Sequence, residues 1–385
     1  MTAPAVAASN PWLTPQRAMQ ALLVFVALAP LAAARHWGAL AVFSFSALAI
    51  IPLAGLMGEA TEQLASRLGA GVGGLLNATF GNAPELIIAL VALRAGLFDM
   101  VRASLVGAVL ANLMLATGVS FLLGGLRYHT QEYNARAARM YSSMMLISVV
   151  SLAVPSAFNR VFSPEGTLHA EKLINVGTAI VLLAAYALYL VFLLKTHPDE
   201  FQSATVTEAE HGEHGPQWSV GRALGTLLGA SVLAAFMSEI LVGAAEGTGK
   251  ALGMSDVFIG IVFLAVIGGA AESGSAIAMA RRNKLDLTVG IAMGSSIQIA
   301  LFVAPILVLL SAFVAPRPLE LSFSRPEIGT LFLAVLISAI VSGDGRSNWY
   351  KGVQLTLVYA MIAILFYFLP SETGEVAARV VGGIP

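Results

Sequence analysis

The sequence predicts an all-α integral membrane protein of about eleven transmembrane helices: one N-terminal helix, then two inverted five-helix repeats. Three observations predict it: an apolar composition, long unbroken apolar runs, and an internal repeat at fixed offset. Of 385 residues, 57% are hydrophobic and only 11% charged, with mean hydropathy +0.82. A soluble domain carries about 25% charged residues. The 21 basic and 22 acidic groups nearly cancel, so no electrostatic footprint for nucleic acid exists. Cysteine is absent, which excludes disulfides, thiolate metal sites and cysteine nucleophiles. The expected partners are a lipid bilayer, inorganic cations and protons; no cofactor is implied, and a homo-oligomer stays open.

A span needs about 20 apolar residues to cross the hydrocarbon as a helix. Such runs occur at 18–34, 38–64, 71–95, 101–125, 139–157, 173–194, 223–249, 257–282, 288–313, 327–342 and 351–369. They are continuous rather than alternating, which reads as helices and not barrel strands. The chain divides into 1–37 (polar start and first helix), 38–194 (first repeat), 195–222 (linker), 223–369 (second repeat) and 370–385 (tail). An odd span count puts the termini on opposite sides. The N-terminal side carries 12 Lys and Arg against 9 on the other, which favours a cytoplasmic N-terminus and, for a bacterial chain, the inner (plasma) membrane. The linker carries Asp199, Glu200, Glu208, Glu210, Glu213 and three histidines; it reads as a solvated connection or as a cation-sensing segment.

The repeat is the most informative feature. ATFGNAPELIIALVALRAGLFD, from Ala78, aligns without gaps to AVIGGAAESGSAIAMARRNKLD, from Ala265, at an offset of 187. Gly81 meets Gly268, Glu85 meets Glu272, Arg94 meets Arg281 and Asp99 meets Asp286; upstream, Glu59 meets Glu246. An odd number of spans per repeat makes the second copy enter from the opposite side. Inverted repeats are the signature of secondary transporters, whose substrate site lies near the midplane where the repeats meet.

All five aspartates fall in loops or at span ends, but Glu59, Glu62, Glu85, Glu239, Glu246 and Glu272 lie within spans. An acidic side chain at the bilayer centre costs at least about 2.5–3.5 kcal/mol, so such residues are functional by default. Glu59, Glu62 and Glu246 sit near span ends, where they could reach interfacial water. Glu85 and Glu272 lie about fifteen residues in, on about 20 Å of helix. Ahead of Glu85, Gly81-Asn82-Ala83-Pro84 should interrupt the helix, since proline cannot continue it without freeing a carbonyl. Carbonyl, carboxamide and carboxylate oxygens together make a hard, oxygen-only site of the kind Ca²⁺ takes. The second copy keeps glycine and acid but not proline or asparagine, and its next span carries Ser295, Ser296 and Gln298. These groups and Asn112 are either ligands or interhelical hydrogen bonds. Gly69-Ala70-Gly71-Val72-Gly73-Gly74 formally fits a dinucleotide fingerprint, but no strand precedes it. No metalloprotease His pair and no intramembrane Asp pair occurs.

At GEATEQLASRLG (58–69), GGLLNATFGNAPELIIAL (73–90), SEILVGAAE (238–246), LDLTVGIAMGSSIQIALF (285–302) and GDGRSNWYKGVQLTLVYA (343–360), the chain resembles the cation/proton exchanger family. These are the Ca²⁺/H⁺ antiporters of the cation/Ca²⁺ exchanger superfamily. The resemblance implies eleven spans, an acidic cytoplasmic linker and transport of Ca²⁺ and H⁺ by alternating access. Its essential glutamate pair corresponds to Glu85 and Glu272, with Asn82 and Gln298 beside the ion. On the reading of the residues themselves, Glu59, Glu239, Glu246, Ser295, Ser296 and Asn112 would support transport. The family motif has asparagine and histidine where this chain has Gly269 and Ser273. A monovalent cation/H⁺ or Na⁺/Ca²⁺ exchanger on the same scaffold is therefore the alternative, and a cation channel a remoter one.

Overall fold

The computed structural model describes residues 15–162, 168–197, 200 and 218–369. The linker groups Asp199, Glu208, Glu210, His211, Glu213 and His214, and the tail 370–385, lie outside them. The described residues are helical almost throughout. The helices are α1 (Pro15–Leu22), α2 (Phe25–Ala34), α3 (Ala39–Phe80), α4 (Ala83–Arg94), α5 (Phe98–Tyr128), α6 (Ala135–Phe162) and α7 (Leu168–Val191). The second half holds α8 (Val220–Leu252), α9 (Asp256–Gly268), α10 (Ala270–Ala280), α11 (Leu285–Val314), α12 (Arg325–Ser342) and α13 (Trp349–Phe368). Among the described residues nine helices are long and apolar enough to cross a membrane, or ten when the bent pair α9–α10 counts as one.

The expected spans 38–64 and 71–95 meet in α3, which is helical from end to end but not straight. A Cβ placed on Gly73 would lie 3.1 Å from the Cα of Ala65. In a straight helix, residues eight apart are about 12 Å apart along the axis. The chain therefore doubles back between Ala65 and Gly73, and residues 73–94 form the counterpart of α9–α10, broken at Gly81–Asn82. The expected first span, 18–34, is interrupted by a turn at Leu23 and Val24.

The connections gather at two ends, as an up-and-down chain requires. At one end, β1 (Thr130–Glu132) pairs antiparallel with β2 (Arg346–Asn348), joining a loop of the first half to one of the second. Beside it, Asn134 N–H donates to Asp286 at 2.6 Å. At the other end, Arg317 stacks 4.4 Å over the Phe98 ring. There the backbone amide of Leu321 donates to Asn175 at 2.9 Å. The halves also touch through glycines. A Cβ on Gly118 of α5 would lie 2.6 Å from the Thr356 hydroxyl of α13, and one on Gly352 would lie 2.6 Å from the Gly118 carbonyl. Only bare backbone allows so close a crossing.

Candidate functional site

Both predicted acids stand just past a helix break, at the same place in each repeat. In the first half, helical geometry stops at Gly81 and Asn82 (φ −96°, ψ 25°) and resumes with α4, which carries Pro84 and Glu85 in its first turn. Proline is suited there, because the first turn has no intrahelical partner for its missing N–H. In the second half the break falls at Gly269 (φ −77°, ψ 9°), where α9 and α10 meet at 59°. Glu272 again sits in the first turn. The sequence signalled the first break through its proline; the second occurs without one, at a Gly-Gly pair.

Two short stretches of widened helix follow the same symmetry. The backbone takes π-type hydrogen bonding over Ala111–Ala116 in α5 and Ile299–Val303 in α11, offset by the repeat length. Such bulges swing side chains out of helical register and recur at functional sites. Asn112 lies on the first and Gln298 immediately before the second.

The polar side chains of the two halves meet between these breaks. Ser295 Oγ lies 2.5 Å from Glu272 Oε2, 2.8 Å from Asn82 Oδ1 and 3.1 Å from Asn112 Nδ2, which donates to it. Asn82 Nδ2 donates to Gln298 Oε1. A serine hydroxyl has one proton. Facing two acceptors, Ser295 satisfies both only when Glu272 itself carries a proton and donates. Glu85 is placed differently. Its side chain packs on Gly268, where a Cβ would lie 3.0 Å from its Cγ. Both of its carboxylate oxygens are buried, and neither has a hydrogen-bond partner among the described residues. Buried polar atoms without partners are rare and point to an absent ligand, ion or water. A Cβ on Gly269 would lie 3.6 Å from Glu85 Oε1 and 3.7 Å from Asn112 Oδ1, so these two oxygens converge on the second break.

Glu85, Glu272, Asn82, Asn112, Ser295 and Gln298 thus form one cluster. The other candidates lie outside it. Ser296 donates to its own helix at Ala292 O, 2.8 Å, and Ser273 is half-buried on α10. Glu59 and Glu62 are exposed on α3. Glu239 faces Arg94 at 3.7 Å, and Glu246 faces Lys250 at 2.6 Å, both on exposed surface. Among the described residues no three His, Cys, Asp or Glu side chains gather into a metal cage, so a cation here must draw on amide, hydroxyl and backbone oxygens. Sequence reasoning did not anticipate the packing at one end of α10. Arg127 and Tyr128 donate to Arg281 O at 3.1 and 3.2 Å, and buried Gln131 donates to Ala280 O at 2.9 Å. These bonds satisfy the last carbonyls of the helix that carries Glu272.

Comparison with known proteins agrees with this architecture. The profile of the family described as sodium/calcium exchanger protein matches residues 38–195 and 222–368. A Ca²⁺/H⁺ antiporter of Aphanothece halophytica is 39% identical over 364 residues, 91% of this chain and 96% of its own length. The Ca²⁺/H⁺ antiporter ChaA of Bacillus subtilis is 41% identical over 346 residues, 89% of this chain and 97% of its own. The crystal structure of the selenium-substituted Ca²⁺/H⁺ antiporter protein YfkE is similar at TM-score 0.77 and 37% identity, covering 92% of this chain and 100% of that one.

Proposed function

The chain belongs to the sodium/calcium exchanger protein family, and on that premise we propose that it exchanges Ca²⁺ for H⁺ across a membrane. The observation that carries the reading is the pair of repeat-related glutamates at two helix breaks, one of them with both oxygens buried and unpartnered among the described residues. Each acid stands at a helix N-terminus, where the backbone dipole favours negative charge. Two like charges repel unless a cation or protons intervene. One Ca²⁺ or protons can neutralise the pair, but not both together, and that exclusion couples the two flows. Glu85 and Glu272 hold the ion, with Asn82 and Gln298 beside it. Access from alternate sides follows from inverted halves moving about a fixed site. The names of the Ca²⁺/H⁺ antiporter relatives support the choice of ions. Bacterial relatives and the Lys/Arg bias support a plasma-membrane location with a cytoplasmic N-terminus.

Purified protein in liposomes with an imposed pH gradient tests this directly. Wild type should accumulate Ca²⁺ only while the gradient lasts. Glu85→Gln and Glu272→Gln should each abolish uptake while the protein still folds; normal uptake by either would sink the carboxylate mechanism. Gly269 and Ser273 favour one second reading, a Na⁺/Ca²⁺ or monovalent cation/H⁺ exchanger on the same scaffold. Gradients of Na⁺ or K⁺ replacing the pH gradient would then drive the flux. A current independent of protons and without saturation would indicate a channel.

A further inference from the structure

Each half supplies a reference for the other, because equivalent residues lie 187 positions apart. The groups that hold the Glu272 region are Asn82, Ser295 and Gln298. Their counterparts around Glu85 are Gly269, Ala108 and Ala111. Every polar partner on one side is thus replaced on the other by a residue with no polar side chain. The consequence is visible in the hydrogen bonding: Glu272 is held by Ser295 at 2.5 Å, whereas neither oxygen of Glu85 has a partner among the described residues. Of the three, Gly269 is the one seen bordering a Glu85 oxygen. Its Cβ position lies 3.6 Å from Glu85 Oε1 and 3.7 Å from Asn112 Oδ1, at van der Waals contact with both. Its φ of −77° is open to any residue, so backbone strain does not demand a glycine there.

We propose that Gly269 sets which divalent cation the site accepts. With no carboxamide at this position the cation has one fewer protein oxygen beside Glu85, and more room. Selectivity among hard cations depends on cavity size, ligand number and flexibility. A cage short of one ligand holds Ca²⁺ less tightly and discriminates weakly against the larger Sr²⁺ and Ba²⁺. An asparagine at 269 would reproduce beside Glu85 what Asn82 supplies on the other side. This inference rests on the Ca²⁺ reading of the site, and its test does not depend on antiport.

The test is displacement of bound ⁴⁵Ca²⁺ from purified full-length protein by Sr²⁺ and by Ba²⁺, in wild type, Gly269→Asn and Gly269→Ala. In wild type the three ions should compete within about tenfold of one another. Gly269→Asn should raise the ratio of half-displacing Ba²⁺ to Ca²⁺ by roughly tenfold. Gly269→Ala fills space without adding an oxygen, and its methyl meets only the Ala265 carbonyl closely, at 3.3 Å. It should raise the ratio by no more than roughly threefold. An unchanged ratio in Gly269→Asn overturns the proposal, and if that variant does not fold, an unchanged ratio in Gly269→Ala does so. Loss of ⁴⁵Ca²⁺ binding in both also overturns it, since the glycine would then serve the break itself. Failure of wild type to bind ⁴⁵Ca²⁺ overturns it together with the Ca²⁺ reading. Failure of wild type in pH-driven uptake, with binding intact, sinks only the antiport reading and leaves the ion ratio readable.

Discussion

Ser295 joins more of the site than any other side chain, touching groups from both halves at 2.5–3.1 Å. Removing a buried hydrogen-bonding partner costs about 1–3 kcal/mol, because the groups left behind stay desolvated. Ser295→Ala should therefore weaken half-saturating Ca²⁺ by about tenfold or more, measured in pH-driven uptake. Ser296→Ala, whose hydroxyl serves only its own helix, should stay near wild type and controls for general damage. A different residue-scale effect belongs to the β1–β2 end. Burial alone would raise the Asp344 carboxyl, but its hydrogen bonds from Lys351 Nζ, at 2.7 Å, and from Arg346 N hold it below the ordinary aspartate value. A depressed folded-state pKa adds stability that is present above the unfolded value and lost as pH falls through the folded one. Thermal unfolding of wild type should thus lose a small increment below about pH 4, and Asp344→Asn should lack that increment. At this scale the sequence revealed Glu85 and Glu272 because an acid deep in a span has few structural excuses. It sets Glu59 and Glu246 apart only as acids near span ends and leaves Glu239 undecided; all three face exposed surface. Which face a glutamate takes is decided by packing between halves.

Among the elements, the interrupted helices matter most, and their two breaks were unequally legible. Proline removes a donor whatever surrounds it, so the break before Glu85 followed from local chemistry. A Gly-Gly pair merely permits a break, so the bend of 59° at Gly269 did not follow from local chemistry alone. The π-type stretches at Ala111–Ala116 and Ile299–Val303 left no mark in composition, because an extra residue per turn needs no particular side chain. The crossing of α5 and α13 lets this level be tested. A Cβ on Gly352 would fall 2.6 Å from the Gly118 carbonyl and 2.7 Å from the Leu122 Cα, backbone on both sides. Gly352→Ala should therefore destabilise by about 1–3 kcal/mol, as overpacking does, read as a lower melting temperature in detergent. Gly229→Ala, with nothing near its Cβ position, should leave the melting temperature unchanged.

For the whole molecule, helices long and apolar enough to cross a membrane predict that the loop clusters at their two ends face opposite compartments. The chain has no cysteine, so single cysteines report cleanly. Arg282→Cys, at the β1–β2 end, and Pro318→Cys, beside the Phe98–Arg317 contact, should be labelled by an impermeant reagent from opposite faces of oriented vesicles. Labelling from one face would refute the topology. The order of spans and their inverted pairing were legible because the hydrocarbon thickness and the fixed offset constrain them before any contact forms. Where α3 doubles back was legible only as a weakening of the apolar run near Arg67. The site itself belongs to neither half. Asn82, Glu85 and Asn112 come from one, and Glu272, Ser295 and Gln298 from the other, so each half alone holds one carboxylate and an incomplete set of oxygens. In the language of fragment complementation, an ion held there, as proposed above, would be a reporter of assembly. Either half produced as its own chain would be blind to it, and sight would return only when both fragments meet in one bilayer in equal number.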